Sequence, residues 1–331
     1  MNISYKALYV TETPDGFHRS VTSLNTDQLP QNDVLIKVHF SSLNYKDALS
    51  ATGNKGVTRK YPFTPGIDAA GVVAGSKSDL FKPGDNVLVT GYDLGMNTPG
   101  GFGQYISVPA KWVVPLPGNL SLTESMIFGT AGFTAGLSLH RLETNGLSPE
   151  KGSVLVTGAT GGVGSLAVML LKKAGYKIVA VTRKDDKTGY LKSIGAEEVI
   201  STDEFIDDSS KPMIKGSFAG VVDTVGGKTL ETALKSLSPW GSVAACGLTL
   251  SPAFSTTVYP FIIRGNNLLG INSAETPMEV RLEIWKRLSG GLKPDNLNSI
   301  AAVCGLNELN NYIDAILKGG ITGRIVVDLN R

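Results

Sequence analysis

The sequence of 331 residues predicts an α/β fold in two parts, a partly open β-barrel followed by a doubly wound parallel sheet. Three observations predict it. Short β-branched and aromatic runs, broken by turns rich in Gly, Pro, Asn and Asp, fill the first third of the chain. Beyond residue 150, strand-like and helix-like stretches alternate, as they do where parallel strands are joined by helical crossovers. At the head of that alternation, Val154, Leu155 and Val156 run into a glycine-rich turn over 157–164 and then an amphipathic stretch over 165–174. The length also exceeds what one hydrophobic core usually spans, so two domains are expected.

In chain order, strand-like runs occupy 6–10, 33–40, 69–74, 86–90 and 103–108. The fourth follows a tight turn, Phe81 to Asp85, with Pro83 and Gly84 where such turns favour them. Residues 122–142 read as helix, and Gly129, Ala131, Gly132, Ala135 and Gly136 are small enough to let it pack closely. A loop over 146–152 leads to the opening strand of the second part. Further strands are expected over 178–181, 198–200, 219–222 and 242–245, with helices over 187–194 and 229–237. Residues 268–271 would add a sixth strand, Met278 to Leu288 a helix, Leu306 to Leu317 another, and 323–329 a closing strand. These last segments leave the alternating rhythm and are expected to return to the first domain. The expected division is 1–125, 126–267 and 268–331.

The glycine turn departs from the usual G-x-G-x-x-G spacing. Ala159, Gly161 and Gly164 hold the three places, with Gly158 one residue early. The physical requirement is still met: small residues let the backbone approach a pyrophosphate, and unpaired N–H groups at the helix start donate to it at the positive end of the helix dipole. A second strand one helix downstream, 177–182, gives the context a dinucleotide site needs.

Composition excludes other classes. The 31 basic and 29 acidic residues leave a formal net charge of +2 and no run of like charge, so neither nucleic acid nor a membrane surface is an expected partner. The first residues lack the apolar core of a secretory leader, and no apolar run approaches the ~18 residues needed to span a bilayer. A soluble cytoplasmic protein is expected. Cys246 and Cys304 read as buried structural thiols, and His18, His39 and His140 are too scattered for a zinc cluster.

The order of these motifs resembles that of the medium-chain dehydrogenase/reductase superfamily over essentially the whole chain. The resemblance rests on the turn at 81–87, on 65–71, on the glycine turn at 158–164 and on 320–327. It is closer to the zinc-free quinone oxidoreductase branch, and within it to the YhdH/YhfP group, which includes acrylyl-CoA reductases. Residues 43–49, 190–196, 243–248 and 256–264 carry that finer likeness. The resemblance implies a GroES-like catalytic domain, a Rossmann domain that binds NADP, and a C-terminal return that completes the first. Zinc-dependent relatives place a Cys, a Gly-His-Glu motif and a later Cys around a catalytic metal. The matching places here look like Asn44, Ile67 with Asp68, and Thr130, and the four-Cys structural lobe is missing, so no metal site is expected.

The second strand of the alternating half ends in Thr182, Arg183 and Lys184 where NAD-preferring domains place an acid for the ribose 2′-hydroxyl. Two cations and a hydroxyl suit a 2′-phosphate, so NADPH is the expected cofactor. Asp185 or Asp186 serving as that acid is the alternative. The resemblance implies cofactor contacts at Tyr45, Thr160, Gly161, Gly162, Val163, Thr182, Arg183, Lys184, Leu248, Ile262, Ser273 and Arg324, while a basic residue of the family is Thr202 here. Leu248 and Ile262 also have a plain reading as core residues.

Without a metal to polarise an alcohol, the expected hydride acceptor is already activated: a double bond conjugated to a carbonyl, or a quinone. The cluster Asn44, Tyr45, Lys46 and Asp47 matches the part of the family's first domain that faces the nicotinamide. Tyr45 is expected as nicotinamide contact or proton donor and Asn44 as a donor that orients substrate, with Asp47 and Asp68 as further candidates. Alternatively Lys46 and Asp47 form an ion pair and Tyr45 only walls a pocket. Lys55, Arg59 and Lys60 are candidates for the phosphates of an acyl-CoA. The expected activity is a zinc-independent, NADPH-dependent reduction resembling that of acrylyl-CoA reductase, with quinone reduction or a non-catalytic NADPH sensor as alternatives. The expected assembly is a homodimer paired through the 268–271 edge strand.

Overall fold

The computed structural model describes residues 2–331, which divide into two compact units. Unit 1 holds the residues up to Thr130 together with Ala274–Trp285 and Leu297–Arg331. Unit 2 holds Ala131–Ser273 and Lys286–Asn296.

In chain order, unit 1 opens with β1 (Ser4–Thr13), β2 (Gly16–Asn25), β3 (Val34–Leu43), α1 (Tyr45–Ala51), β4 (Asp68–Ser76), β5 (Asn86–Thr90), β6 (Tyr105–Val108) and β7 (Val114–Pro115). The helical stretch α2 (Leu122–Thr144) leads into unit 2. There follow β8 (Val154–Val156), α3 (Gly162–Lys173), β9 (Ile178–Thr182), α4 (Thr188–Ser193), β10 (Glu198–Ser201), α5 (Thr202–Phe205) and β11 (Phe218–Asp223). Next are α6 (Gly227–Lys235), β12 (Leu237–Ala245), α7 (Tyr259–Arg264), β13 (Asn267–Gly270) and α8 (Met278–Ser289). The chain ends with β14 (Ala301–Gly305), α9 (Leu309–Leu317) and β15 (Arg324–Asp328).

Unit 1 combines a β1–β2 antiparallel hairpin with a seven-stranded sheet in the order β14-β15-β3-β4-β5-β7, β6 pairing with β3. The C-terminal return therefore supplies two strands of this sheet, β15 lying directly against β3. Leu8, Val34, Ile36, Val87, Phe102, Ile106, Ile313 and Val327 fill its core. Strand β2 is absent from the sequence expectation because its faces are mixed: Arg19 alternates with Phe17 and Val21, and no residue of the strand is fully buried.

Unit 2 is a six-stranded parallel sheet in the order β10-β9-β8-β11-β12-β13. Every residue of β8, β9 and β11 is buried, which is why they read as continuous apolar runs instead of alternating ones. The strand order reverses between β8 and β11, and in such sheets ligands bind beyond the carboxyl ends of the strands at that point.

One helix expectation is corrected. The stretch Leu122–Thr144 is not a single helix, because Gly129 adopts φ 49° and ψ −155°. Gly129 is a break, and a Cβ there would collide with Ser42 Oγ and Asp68 Oδ2. Its smallness serves a polar cluster in unit 1, not helix packing.

Candidate functional site

In unit 2, hydrogen bonds fasten the ends of β8 and β11 around the glycine turn. Thr157 Oγ1 donates to Asp223 Oδ1 at 2.7 Å and accepts from Thr224 N at 3.0 Å, while Gly226 N donates to Asp223 Oδ2 at 2.9 Å. Burial raises the pKa of Asp223 and these donors oppose the rise. The turn needs glycine at two places. Gly158 has φ 57° with Thr224 and Val225 against its α-carbon, and a Cβ on Gly164 would strike Gly158 O and Ala159 Cα. Helix α3 begins at Gly162, so the first-turn N–H groups at Gly162 and Val163 have no partner within the helix and remain for an anion.

At the end of β9, Thr182 is buried with its Oγ1 3.4 Å from Thr160 Oγ1 and accepting from Lys184 N at 3.1 Å. Arg183 is exposed and Lys184 half-buried. Burial holds the Lys184 amine below its usual pKa, and Lys187 and Arg183 add to the depression. Arg183 and Lys184 follow Thr182 as cations that suit a phosphate dianion, while Lys187 is paired with Asp186. Asp186, the alternative ribose partner, has its carboxylate paired with Lys187 at 2.7 Å.

Other expected contacts are placed as follows. Leu248 and Ile262 are not core residues; they are 61% and 72% exposed on unit 2. Ser273 Oγ accepts from Thr134 Oγ1 at 2.8 Å. Thr202 opens α5 behind the Ser201 cap. Cys246 and Cys304 are thiols pushed by burial up to about 12, so neither is a reactive thiolate at neutral pH.

The polar cluster lies within unit 1. Asn44 caps α1, and Asp47, at the third helical position, accepts from Asn44 N at 2.8 Å, from Asn44 Nδ2 at 3.2 Å and from Ile67 N at 2.8 Å. Asp68, at the start of β4, accepts from Ser42 Oγ at 2.6 Å and Asn44 Nδ2 at 2.7 Å. It also accepts from Thr130 N at 2.9 Å and Thr130 Oγ1 at 2.6 Å. Arg324, from β15, donates through Nε to Ile127 O and through Nη1 to Leu43 O and Asn44 Oδ1. Its Nη2 is buried without a hydrogen-bond partner. The cluster thus gathers Asn44, Asp47, Asp68 and Thr130 and adds Ser42 and Arg324, which lie far apart in sequence.

One of the two local alternatives falls away. Lys46 does not pair with Asp47: its Nζ lies 4.0 Å from Met96 Sδ. Tyr45 stands at the first turn of α1, 37% exposed. Asn44 Nδ2 donates within the cluster, with Asp68, Asp47 and Ser42 O in reach, and its Oδ1 accepts from Arg324, so the amide is held by the protein from both ends. Lys55 stands apart, bound to Glu12 at 2.6 Å beside the rings of Phe17 and Tyr61, while Arg59 and Lys60 are exposed.

A divalent metal does not fit this cluster. The Asp68 oxygens are surrounded by N–H and O–H donors, and a guanidinium occupies the same box, so the hydrogens and positive charge stand where a cation would need lone pairs. Among the described residues no three His, Cys, Asp or Glu side chains converge as a metal site.

Comparison with known proteins bears on the whole chain. The alcohol dehydrogenase GroES-like domain family matches residues 30–118, and the zinc-binding dehydrogenase family matches residues 162–289. YhfP of Bacillus subtilis, provisionally named a quinone oxidoreductase, is 48% identical over 99% of this chain and 100% of its own. The crystal structure of YhfP with NAD bound superposes with a TM-score of 0.96, covering 98% of this chain and 99% of that one. Acrylyl-CoA reductase AcuI of Ruegeria pomeroyi is 42% identical over 94% of each chain. The YhdH oxidoreductase of Salmonella enterica in complex with NADP is 44% identical, with a TM-score of 0.95 over 98% of this chain and 99% of that one.

Proposed function

The chain belongs to the medium-chain dehydrogenase/reductase superfamily, in its quinone oxidoreductase and acrylyl-CoA reductase group, and from that premise we propose that it reduces an activated double bond with NADPH, acrylyl-CoA being the leading acceptor. The observation that carries the reading is the cluster around Asp68, a metal-excluding arrangement that leaves one charged donor, Arg324 Nη2, uncommitted.

The residues of unit 2 suit the cofactor. The N–H groups of the turn from Thr160 to Val163 would hold its pyrophosphate, and Thr182, Arg183 and Lys184 its 2′-phosphate. Bound there, the reduced nicotinamide supplies a hydride. Unit 1 supplies polarisation. Arg324, buried within the cluster, would act on negative charge at the acceptor's carbonyl oxygen through its field and not by contact, the contacting donor of the sequence expectation being Asn44. Asn44 also accepts from Arg324 Nη1 through its Oδ1, which couples the two side chains. Tyr45 remains the candidate for a nicotinamide contact or for delivery of a proton to the α-carbon. Tyr45→Phe tests it: turnover at the wild-type rate would leave Tyr45 as a wall.

Quinone reduction is the second reading, favoured by the name that YhfP carries. NADPH oxidation followed in turn with acrylyl-CoA, a small quinone and no acceptor separates the readings. Acrylyl-CoA is expected to give the highest kcat/KM; oxidation with neither acceptor would leave a protein that binds NADPH without using it. We further propose a cytoplasmic homodimer. Support for the dimer is the sheet edge at β13 beside exposed Trp240, Ile262 and Ile263.

A further inference from the structure

The cations proposed to bind the 2′-phosphate stand on a loop, and hydrogen bonds fasten both ends of that loop to one residue of the glycine turn. The loop runs from Thr182, the last residue of β9, to Tyr190 in the first turn of α4. Residues 183–189 are all exposed or half-buried. Within the loop, Lys184 N donates to Thr182 Oγ1 at 3.1 Å, Lys187 N to Lys184 O at 3.0 Å and Thr188 Oγ1 to Asp185 O at 3.1 Å. Bonds of this short range shape a loop without fixing where it sits.

Its ends are what fix it. On the β9 side, Ala159 N donates to Val181 O at 3.1 Å. On the α4 side, Tyr190 Oη donates to Ser165 Oγ at 2.9 Å, and Ser165 Oγ donates to Ala159 O at 3.1 Å. Ser165 and Ala159 are fully buried, so water does not compete for the second bond of this relay. Burial holds the Tyr190 phenol above its usual pKa, which keeps it a donor at neutral pH. Ala159 therefore closes the loop: its N–H meets the strand before the cations, and its carbonyl is tied to the helix after them. The next residue, Thr160, begins the stretch proposed to hold the pyrophosphate. In one dinucleotide the 2′-phosphate and the pyrophosphate sit on the same ribose, so the groups that bind them must keep a set separation. Charge-assisted hydrogen bonds enforce it, since they need contacts of about 2.7–2.9 Å.

We infer that Tyr190, acting through Ser165, is a positioning residue for cofactor choice: it holds the cation loop in register with the glycine turn, so that Arg183 and Lys184 meet the 2′-phosphate while the turn holds the pyrophosphate. This role rests on the reading of Arg183 and Lys184 as the 2′-phosphate site. NADH lacks that phosphate, so the register matters for NADPH alone.

Tyr190→Phe removes the hydroxyl and keeps the ring, and the buried Leu191 and Ile194 keep α4 docked. In calorimetric titration this variant is expected to bind NADPH about 3- to 10-fold more weakly, the worth of one hydrogen bond, and NADH within about 2-fold of wild type. In protein already carrying Arg183→Ala and Lys184→Ala, the same substitution is expected to change neither affinity, because no cation remains to be placed. Amide hydrogen exchange of the nucleotide-free variant should quicken over 183–189 and stay unchanged along α3. Equal losses of NADPH and NADH in Tyr190→Phe would make the residue merely structural and overturn the inference. Wild-type NADPH binding, unchanged exchange over 183–189, or a loss that persists without the two cations would overturn it as well. If Arg183→Ala with Lys184→Ala costs both nucleotides equally or neither, the 2′-phosphate reading itself fails and takes the role of Tyr190 with it. A loss confined to NADPH in that pair, with none in Tyr190→Phe, overturns the role of Tyr190 and leaves the reading standing.

Discussion

Replacing Gly129 with alanine is expected to damage the protein at two levels. The backbone there sits at φ 49° and ψ −155°, a region that glycine alone adopts readily and where an L-residue pays about 1–3 kcal/mol, and the new methyl would push into Ser42 Oγ and Asp68 Oδ2. Thermal unfolding should show a lowered Tm, and activity should fall further than the loss of folded protein accounts for. Asp47 gives a prediction about pH. Its folded carboxyl titrates at about 7, above the ordinary 3.8, so as pH rises between those values the unfolded chain releases its proton first and stability declines, levelling off above the folded value. Asp47→Asn does not titrate. It loses a good acceptor for the Ile67 or Asn44 N–H, so it should melt below wild type at about pH 5, and the gap should narrow by about pH 8. A gap that stays constant across that range would refute the assignment. Asn44 and Asp47 were readable in sequence because they fall in one short polar run, 44–47, that resembles the family's. Asp68, Thr130 and Arg324 as their partners were not, since nothing local brings positions 44, 68, 130 and 324 together.

The proposed choice of cofactor rests on one element, the end of β9. Arg183→Ala combined with Lys184→Ala should weaken NADPH binding by about 10- to 100-fold, the worth of charge-assisted hydrogen bonds to a phosphate, and change NADH binding little. Calorimetric titration of both nucleotides checks this, and equal losses for the two would mean that the 2′-phosphate is not read here. The NAD-bound structure of YhfP makes the comparison with NADH a demanding one. The strands of unit 2 were legible because strands buried on both faces are unbroken apolar runs. Strand β2 was not legible, since it mixes Arg19 with its apolar residues, and the break at Gly129 was hidden because glycine fits a closely packed helix as readily as a kink. Leu248 and Ile262 show the limit of hydrophobicity as a guide to burial: a single apolar residue in a loop or short helix carries no periodicity to say which way it faces.

For the molecule as a whole, the prediction concerns assembly. Ile262→Glu or Trp240→Glu should shift a homodimer toward monomer in sedimentation, because a charge would replace an exposed apolar side chain near the β13 edge. A wild-type protein that sediments as a monomer would remove the dimer from the reading. The sequence by itself determined the class of the fold, the nucleotide turn and the cation pair that points to NADPH, because each depends on residues a few places apart in one strand, turn or helix. Only the tertiary structure decided what the first unit does with its polar residues. A β4 carboxylate, a hydroxyl beyond a helix break and a guanidinium from the C-terminal strand converge on Asn44 through β3, β4 and β15, neighbours in one sheet. That convergence is a product of strand order, and it gathers positions far apart in sequence into one box of buried charges.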